Sequence, residues 1–286
     1  MSIVEKLVAL IRDTSSSLPE DVEKALLRAA RKETKGSSAA IVLKTIVENV
    51  RLARRQRTPL CQDTGTLTFF VDESLRRKVT PEAIKRAVAR ATELGYLRKN
   101  CIDSITGKSY DDNCAEGAPV VHYVYAAKSG ACRTKTGGCV TLVMKGGGSE
   151  NMSRQYSLPD ATLGAGRDLA GVRKCLLDAV QKTQGYGCAP GILGVCIGGD
   201  RATGYEIAKE QLLRPLDEKG VSGSAIGKLE KTVLSEANSL GIGPMGLGGK
   251  TTLLGVKIAS RPRVPASFFV TVAYMCWACR RRSLQV

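Results

Sequence analysis

The spacing of apolar residues changes along the chain, and this change limits the folds that the chain can adopt. Residues 2–56 carry apolar side chains at helical spacing, and Pro19 followed by two acidic residues is typical of a helix start. From about residue 59, short apolar runs of strand length alternate with helical segments and glycine-rich junctions. The pattern predicts a mixed α/β fold, with a helical N-terminal third followed by a mixed-sheet α/β body. We expect one domain over 1–286, with a helical lobe over about 1–58.

Periodicity and punctuating residues place the individual elements. Thr80 precedes Pro81 and Glu82, so it is a plausible N-cap for a helix that ends near Gly95. A polar, glycine-containing loop separates two strands between residues 119 and 144. The other helices are predicted over 39–56, 165–184, 205–213 and 225–240, and the strands over 66–71, 119–126, 139–144, 192–197, 251–258 and 267–275.

A single histidine excludes much of hydrolytic chemistry. His122 is the only one in 286 residues, and it lies in the apolar stretch APVVHYVYAA. A Ser-His-Asp triad needs a histidine beside its nucleophile, and catalytic zinc sites ordinarily use at least one. The apolar flanks favour a hydrogen-bonded core imidazole on a buried strand over a catalytic role.

Ten cysteines require an explanation in a chain without an export signal. The N-terminus lacks the basic start, apolar block and small-residue cleavage site of a signal peptide, and no apolar run reaches about 18 residues. We therefore expect a cytoplasmic protein, in which a disulfide framework is disfavoured. Metal ligands, reactive thiols and small core residues remain as alternatives. Cys276 and Cys279 form a CxxC pair, but no second pair completes a zinc site.

The formal net charge of +16 suggests a nucleic-acid partner, but its distribution argues against one. Basic residues are dispersed through LRAARKETK, RLARRQR, ESLRRKV and CRRRS with acids interleaved, and aromatic residues make up only 5%. Solvated helix faces explain these runs, and a positive field that attracts an anionic substrate or an acidic partner is the alternative.

Four stretches combine glycine, thiol or short polar residues with a strand-like run: LCQDTGTLTFFVD, MKGGGSENMS, GCAPGILGVCIGGDRA and GIGPMGLGGKTTLLGVKI. The run Gly146–Gly148 can offer backbone N–H groups to an anion, or it can form a tight turn that needs positive φ. GPMGLGGKTT is not a P-loop, because Pro244 stands where the motif needs glycine and a helix precedes the loop while a strand follows it.

These four stretches, in this order, resemble the N-terminal domain of class I fumarases and the α subunit of two-subunit fumarases and L(+)-tartrate dehydratases. The resemblance spans about Val4 to Cys276, and CQDTG and KGGGSENMS are its most specific motifs. It implies a hydro-lyase that adds or removes water on a small hydroxylated dicarboxylic acid. It also implies a 4Fe–4S cluster held by Cys61, Cys188 and Cys276, with one iron left open to the substrate.

The resemblance further implies roles for residues near these cysteines. Gln62 and Asp63 are expected at the substrate, with Asp63 in acid–base catalysis or in ordering the group that performs it. The alternative for Asp63 is a cap on a helix or turn that begins at Thr64. Gly148 is expected to contribute a backbone contact. The remaining cysteines, Cys101, Cys114, Cys132, Cys139, Cys175, Cys196 and Cys279, are interpreted as packing or incidental thiols.

Two departures from the family pattern leave alternatives open. Val264 stands where the family has a substrate-contacting histidine. The third cysteine, Cys276, is followed by WACRRR, so Cys279 can compete with Cys276 as a cluster ligand. The resemblance implies a separate β subunit that completes the active site. The hypotheses are therefore a fumarate hydratase α subunit, a tartrate dehydratase α subunit, a non-catalytic Fe–S-binding relative and, least favoured, a basic nucleic-acid-binding protein.

Overall fold

The computed structural model describes residues 1–125, 138–218 and 223–286. Cys132 and most of the polar loop that was predicted between residues 119 and 144 lie outside these ranges. Among the described helices, none is both long enough and apolar enough to cross a membrane.

The described residues form eight α-helices and ten β-strands, and the predicted mixed α/β class with a helical N-terminal region is confirmed. The helices are α1 Ile3–Ser16, α2 Glu20–Lys32, α3 Ser38–Gln56, α4 Pro81–Glu93, α5 Gly147–Asn151, α6 Leu169–Thr183, α7 Arg201–Gln211 and α8 Ala225–Ser239. The strands are β1 Thr66–Asp72, β2 Cys101–Ile102, β3 Ser109–Tyr110, β4 Val120–Val124, β5 Cys139–Lys145, β6 Arg154–Ser157, β7 Gly191–Gly198, β8 Leu253–Arg261, β9 Phe269–Met275 and β10 Arg280–Gln285.

Contacts divide the chain into two compact units that interleave along the sequence. Unit 1 consists of Met1–Pro19, Glu48–Gly147 and Ala278–Val286, and unit 2 consists of Glu20–Val47 and Gly148–Trp277. Each unit has one four-stranded sheet and one main apolar core.

The sheet of unit 1 has the strand order β10-β5-β1-β4. The central strand β1 pairs parallel with β4 and antiparallel with β5, and β10 pairs antiparallel with the other side of β5. Alternate residues of β1 point into a core that α1 and α4 cover, so Leu67, Phe69 and Val71 are all buried. His122 on β4 is only half-buried, and its ring stacks on the ring of Phe70. The imidazole is therefore partly exposed and not buried in the core as expected.

The sheet of unit 2 has the strand order β6-β9-β7-β8. Its central strand β7 pairs parallel with β8 and antiparallel with β9, and β6 pairs with the outer side of β9. All eight residues of β7 are buried. Strands β9 and β8 flank β7 within the sheet, and helix α7 packs against it. A continuous apolar run is what a strand buried on both faces requires.

Side-chain caps decide where the helices begin. The Thr80 hydroxyl accepts a hydrogen bond from the Ala83 N–H, which confirms the predicted cap of α4. Asp168 accepts from the Gly171 N–H, so α6 starts several residues later than periodicity indicated. Helix α7 begins four residues earlier than predicted, because Asp200 accepts from the N–H groups of Ala202 and Thr203.

One prediction about the basic runs is wrong. The run CRRRS was interpreted as part of a solvated helix face, but it enters strand β10, where Arg280 and Arg281 are buried. Strand formation places Arg280 opposite Met144 in the interior of unit 1. Cys139 also departs from the interpretation as an incidental thiol, since it is disulfide-bonded.

Candidate active site

The CQDTG segment leads directly into the central strand of unit 1. Cys61 is half-buried just ahead of β1, and its thiol donates to the Gln62 side-chain oxygen at 3.6 Å. The segment is anchored by Thr64, whose hydroxyl accepts from the Arg98 N–H at 2.8 Å and donates to the Arg98 carbonyl at 3.2 Å. One side chain therefore fixes the backbone beside both the cysteine and the aspartate.

Gly65 allows this segment to approach the end of strand β5. Its φ is +74°, and a Cβ at this position would overlap the backbone of Lys145 and Gly146. Any other residue would face a left-handed backbone conformation as well as this collision. The glycine of CQDTG is therefore required for the fit between the segment and the GGG run.

The Asp63 carboxylate faces the glycine run. A Cβ on Gly146 would lie 2.8 Å from Asp63 Oδ2, and one on Gly147 would lie 3.9 Å from the same atom. The residues after Asp63 lead into a strand, so Asp63 does not cap a helix. None of the three glycines has a positive φ, so the tight-turn interpretation of Gly146–Gly148 is wrong. The close approach of the Asp63 carboxylate explains the glycine run in part.

Arg280 is a residue of this site that sequence reasoning missed. Its side chain is 1% exposed, and its Nη2 donates to the Asp63 carbonyl oxygen at 2.8 Å. Among the described residues, none accepts a hydrogen bond from its Nε or Nη1. A buried guanidinium with unmade hydrogen bonds is costly, so its position behind Asp63 requires an explanation. The only sequence signal was its place in a basic run, which has no distinctive spacing.

A cavity of about 300 Å³ opens beside Asp63 within unit 1. The buried amide of Asn113 shapes its wall: the oxygen accepts from the N–H groups of Asn100 and Cys101, and the nitrogen donates to Thr92 Oγ1. The lining also includes Gly65, Gly147 and Pro119. A carboxylate, amide groups and exposed glycine backbone thus share one small concave site.

Unit 2 brings together two cysteines that are distant in sequence. Cys188 has a positive φ of 50°, and its carbonyl accepts from the Trp277 N–H at 3.3 Å, next to Cys276. Burial raises the pKa of Tyr274, and the charges of the Cys276 and Cys188 thiols act in the same direction. Both cysteines are only half-buried. A backbone hydrogen bond therefore joins the two segments that carry two of the three predicted ligands.

Several other cysteines are poor candidates for metal binding, since metals bind the thiolate form. Burial raises the pKa of Cys175 to about 11 and also raises that of Cys196. The pKa of Cys114 is likewise raised to about 11 by burial, and that of Cys101 is raised in the same direction. Cys279 is fully buried, which disfavours it as a competitor of Cys276.

The remaining predicted residues lie at the surface of their own units. Gln62 is exposed in unit 1, while Gly148 is exposed at the start of the long segment of unit 2. Val264, at the position of the family histidine, is 64% exposed in the loop between β8 and β9. Among the residues that the structure describes, no three Cys, His, Asp or Glu side chains are placed to hold a metal ion.

Comparisons with known proteins agree with the predicted resemblance. A sequence profile of the family described as Fumarate hydratase (Fumerase) matches residues 4–285. A protein of Geobacillus stearothermophilus with the provisional name fumarate hydratase class I is 46% identical over 99% of this chain, which spans 55% of that relative's own length.

Two relatives carry the name of another substrate. A protein of Methanocaldococcus jannaschii with the provisional name L(+)-tartrate dehydratase subunit alpha is 34% identical, over 98% of this chain and 96% of its own length. The L(+)-tartrate dehydratase subunit alpha of Escherichia coli K12 is 29% identical, over 99% of this chain and 89% of its own length. Together with the motifs CQDTG and KGGGSENMS, these matches show that the chain belongs to the fumarate hydratase (Fumerase) family.

Proposed function

We propose that this chain is the α subunit of a 4Fe–4S-dependent hydro-lyase that reversibly removes water from a 2-hydroxy dicarboxylate, converting malate to fumarate. The observation that carries the proposal is the backbone hydrogen bond from the Trp277 N–H to the Cys188 carbonyl, which joins the segments of Cys188 and Cys276 although they are far apart in sequence. Family membership over residues 4–285 supports the same reaction class.

The donor chemistry of the three proposed residues suits an iron–sulfur cluster. Soft thiolates are the ligands that such clusters use, and Cys61, Cys188 and Cys276 are each half-buried in loops next to strands. Cys188 is held in a left-handed conformation, which fixes the direction of its side chain. We propose these three as the ligands and leave Cys279, which is fully buried, out of the set.

When bound, a cluster with three protein ligands supplies an open iron that acts as a Lewis acid toward the departing hydroxyl group. Asp63 accepts the proton from the carbon next to the one that bears the hydroxyl, with Oδ2 as the atom nearest the glycine run. Arg280 holds the Asp63 backbone through the 2.8 Å hydrogen bond and places an unneutralised positive charge nearby.

The other residues bind and orient the substrate. Gln62 offers an exposed amide, and Gly148 offers its backbone N–H at the start of α5. The net charge of +16 attracts a dianionic substrate over a longer range. We propose that these groups bind the substrate without a histidine at the position of Val264, which is exposed.

Tartrate is the second candidate substrate, because two relatives of nearly the same length are named tartrate dehydratase subunit alpha. Malate and tartrate differ by one hydroxyl group. The chain covers 55% of the fumarate hydratase relative, so we propose that a separate β subunit provides the groups found in the rest of that relative. We also propose a cytoplasmic location.

The test is anaerobic purification of the chain, followed by iron and sulfide analysis and by assays of malate and tartrate dehydration, with and without the β subunit. We expect equimolar iron and sulfide in the chain, little turnover by the chain alone, and faster turnover of one substrate when the β subunit is added. A folded, iron-free chain that dehydrates either substrate with its β subunit would contradict the proposal. Full activity without a second chain would contradict the subunit arrangement.

A further inference from the structure

The glycine-rich stretch that ends in Lys250 has no part in the proposed reaction, yet it forms a closed structure within unit 2. Residues 241–250 form this glycine loop, which closes on itself before strand β8. The Gly248 N–H donates to the Ile242 carbonyl at 2.9 Å. Gly243 has a φ of +69°, and a Cβ on it would overlap the Gly248 carbonyl. The loop can therefore close in this way only with glycine at position 243.

The glycine loop packs its backbone directly against the Cys188 turn, which joins α6 to β7. The Met245 N–H donates to the Ala189 carbonyl at 2.9 Å. A Cβ on Gly246 would lie 2.7 Å from the Gly185 Cα, which is closer than a side chain can approach. Glycine at position 246 therefore allows the two backbones to touch, and a hydrogen bond joins them beside Cys188.

Thr252, which follows the glycine loop, holds the other end of the turn. Its side chain is buried, its carbonyl accepts from the Gly191 N–H at 2.9 Å, and its hydroxyl accepts from the Gly243 N–H at 3.2 Å. Gly185 precedes Cys188 in the chain and Gly191 follows it. The loop and the residue after it therefore contact the turn on both sides of the cysteine.

The backbone conformations in these two segments need such support. Among the described residues, five that are not glycine have a positive φ, and three of them lie here: Gln184 at 45°, Cys188 at 50° and Met245 at 54°. The left-handed region is unfavourable for residues with a side chain, so it persists only where surrounding contacts impose it. The contacts with the glycine loop therefore help to set the direction in which the Cys188 side chain leaves the backbone.

A buried carboxylate fixes the far end of the glycine loop. Glu33, the residue after α2, is 9% exposed, and its two carboxylate oxygens accept from the Lys250 N–H at 3.0 and 2.9 Å. A Cβ on Gly249 would lie 3.0 Å from Glu33 Oε2 and 2.6 Å from the Ala39 Cβ, so the loop rests on this carboxylate. Among the residues that the structure describes, no other group donates a hydrogen bond to Glu33. Burial of a carboxylate is costly, so one devoted to a single backbone N–H points to a positioning role.

We propose that Glu33 is a positioning residue for Cys188. Its carboxylate holds Lys250, and the glycine loop passes this restraint to the Cys188 turn through the contacts of Met245 and Thr252. The inference rests on the proposed function only in that Cys188 is a proposed cluster ligand. A thiol that is held in place beforehand lowers the cost of ordering it when a ligand binds.

Hydrogen exchange in the full wild-type chain tests the coupling between loop and turn without any substitution. One opening of the glycine loop exposes the amides of Lys250, Met245 and Gly191, so we expect their protection factors to agree within about fivefold. A larger spread among the three amides overturns the proposal, because the loop and the turn would then open separately. This test decides the matter even if a variant of Glu33 fails to fold.

Glu33→Ala removes the acceptor and leaves the glycine loop itself unchanged. We expect protection at the Met245 and Gly191 amides to fall about tenfold, the value of roughly one hydrogen bond. We also expect alkylation of the Cys188 thiol by iodoacetamide, followed by mass spectrometry in the presence of a chelator, to become about three- to tenfold faster. Glu33→Gln keeps an oxygen that can accept from the Lys250 N–H, so it is expected to restore both values. A Glu33→Gln chain that behaves like Glu33→Ala overturns the proposal.

Glu230→Ala is the matched control, because Glu230 is a glutamate of the same unit that is 8% exposed and accepts from the Ile258 N–H at 2.7 Å. Its carboxylate also lies 3.4 Å from Arg214, so we expect its loss to destabilise the unit at least as much. We expect the rate of Cys188 alkylation to stay at the wild-type value in this control. Equal acceleration in the control, or none in Glu33→Ala, overturns the role of Glu33.

These measurements follow amides and a thiol, so their outcome does not depend on iron. A wild-type chain that binds no iron overturns the proposed function, while the role of Glu33 is still decided by the exchange and alkylation results. The two failures are therefore distinguishable.

Discussion

In each unit a loop that carries a cysteine leads into the central strand of the sheet, but a different kind of contact holds each loop in place. In each sheet the central strand pairs parallel on one side and antiparallel on the other, and the cysteine loop leads into that strand. In unit 1, Gly65 fits the loop against the backbone of β5 in a left-handed conformation. In unit 2, Gly191 fits the loop against the side chain of Tyr274, on the neighbouring strand β9. Backbone conformation and side-chain packing thus achieve the same placement.

The surroundings of the two loops differ in charge. The loop of unit 1 contacts a buried guanidinium that has unused donors, whereas the loop of unit 2 contacts a neutral phenol. A cationic environment suits the handling of carboxylates and protons, and a neutral one suits thiolates whose charge is shared with a metal. From this difference we predict that unit 1 handles the substrate and that unit 2 supplies two of the three proposed cluster ligands.

Replacement of the proposed ligands gives the largest expected effect and tests whether both units contribute. We expect Cys61→Ser, Cys188→Ser and Cys276→Ser each to lose most of the iron, because three thiolates are the minimum set for this site. Cys101→Ser, a half-buried cysteine of unit 1, is the control that retains iron. Iron analysis after anaerobic purification measures how much iron each variant retains. If Cys61→Ser keeps a full cluster, unit 2 binds it without unit 1.

Arg280→Met is expected to have the next largest effect, and only on activity. It removes a charge-assisted hydrogen bond to the Asp63 carbonyl, so kcat/KM with the β subunit is expected to fall about ten- to a hundredfold. The melting temperature is expected to stay the same or rise, because the variant also removes a buried charge with unused donors. Arg282→Met, on the exposed side of β10, is the control. A large loss of thermal stability would show that Arg280 is mainly structural.

The two glycines are expected to have the smallest effect on the reaction itself, and their effect on stability sharpens the contrast between backbone and side chain. We expect Gly65→Ala to cost about 2–4 kcal/mol, since the Cβ meets backbone and the φ of +74° is unfavourable. Gly191→Ala is expected to cost about 1–3 kcal/mol. Urea unfolding measures both. Combining Tyr274→Phe with Gly191→Ala is expected to recover part of the lost free energy of unfolding, whereas combining it with Gly65→Ala is expected to recover none. Equal recovery in the two double variants would show that the two glycines are not held by different kinds of contact.

Sequence patterns identified most elements of the fold, and the errors have local physical causes. Strand β7 was predictable because a strand buried on both faces is continuously apolar. Strand β10 was missed because it begins with three arginines, and nothing in a basic run reveals that Arg280 and Arg281 will be buried beside a neighbouring strand. Strand β6 is only four residues long, which leaves too few positions for an alternating pattern.

The motifs by themselves determined the family and the candidates Cys61, Gln62, Asp63, Gly148, Cys188 and Cys276, because short thiol and glycine motifs are legible without any coordinates. Tertiary structure alone decided that Tyr274 lies against the Cys188 turn, that Asp63 faces Gly146, and that Arg280 is buried behind Asp63. The physical reason is that these are contacts between residues far apart in the chain. Periodicity and spacing describe neighbours in sequence, whereas burial, hydrogen bonding and charge depend on neighbours in space.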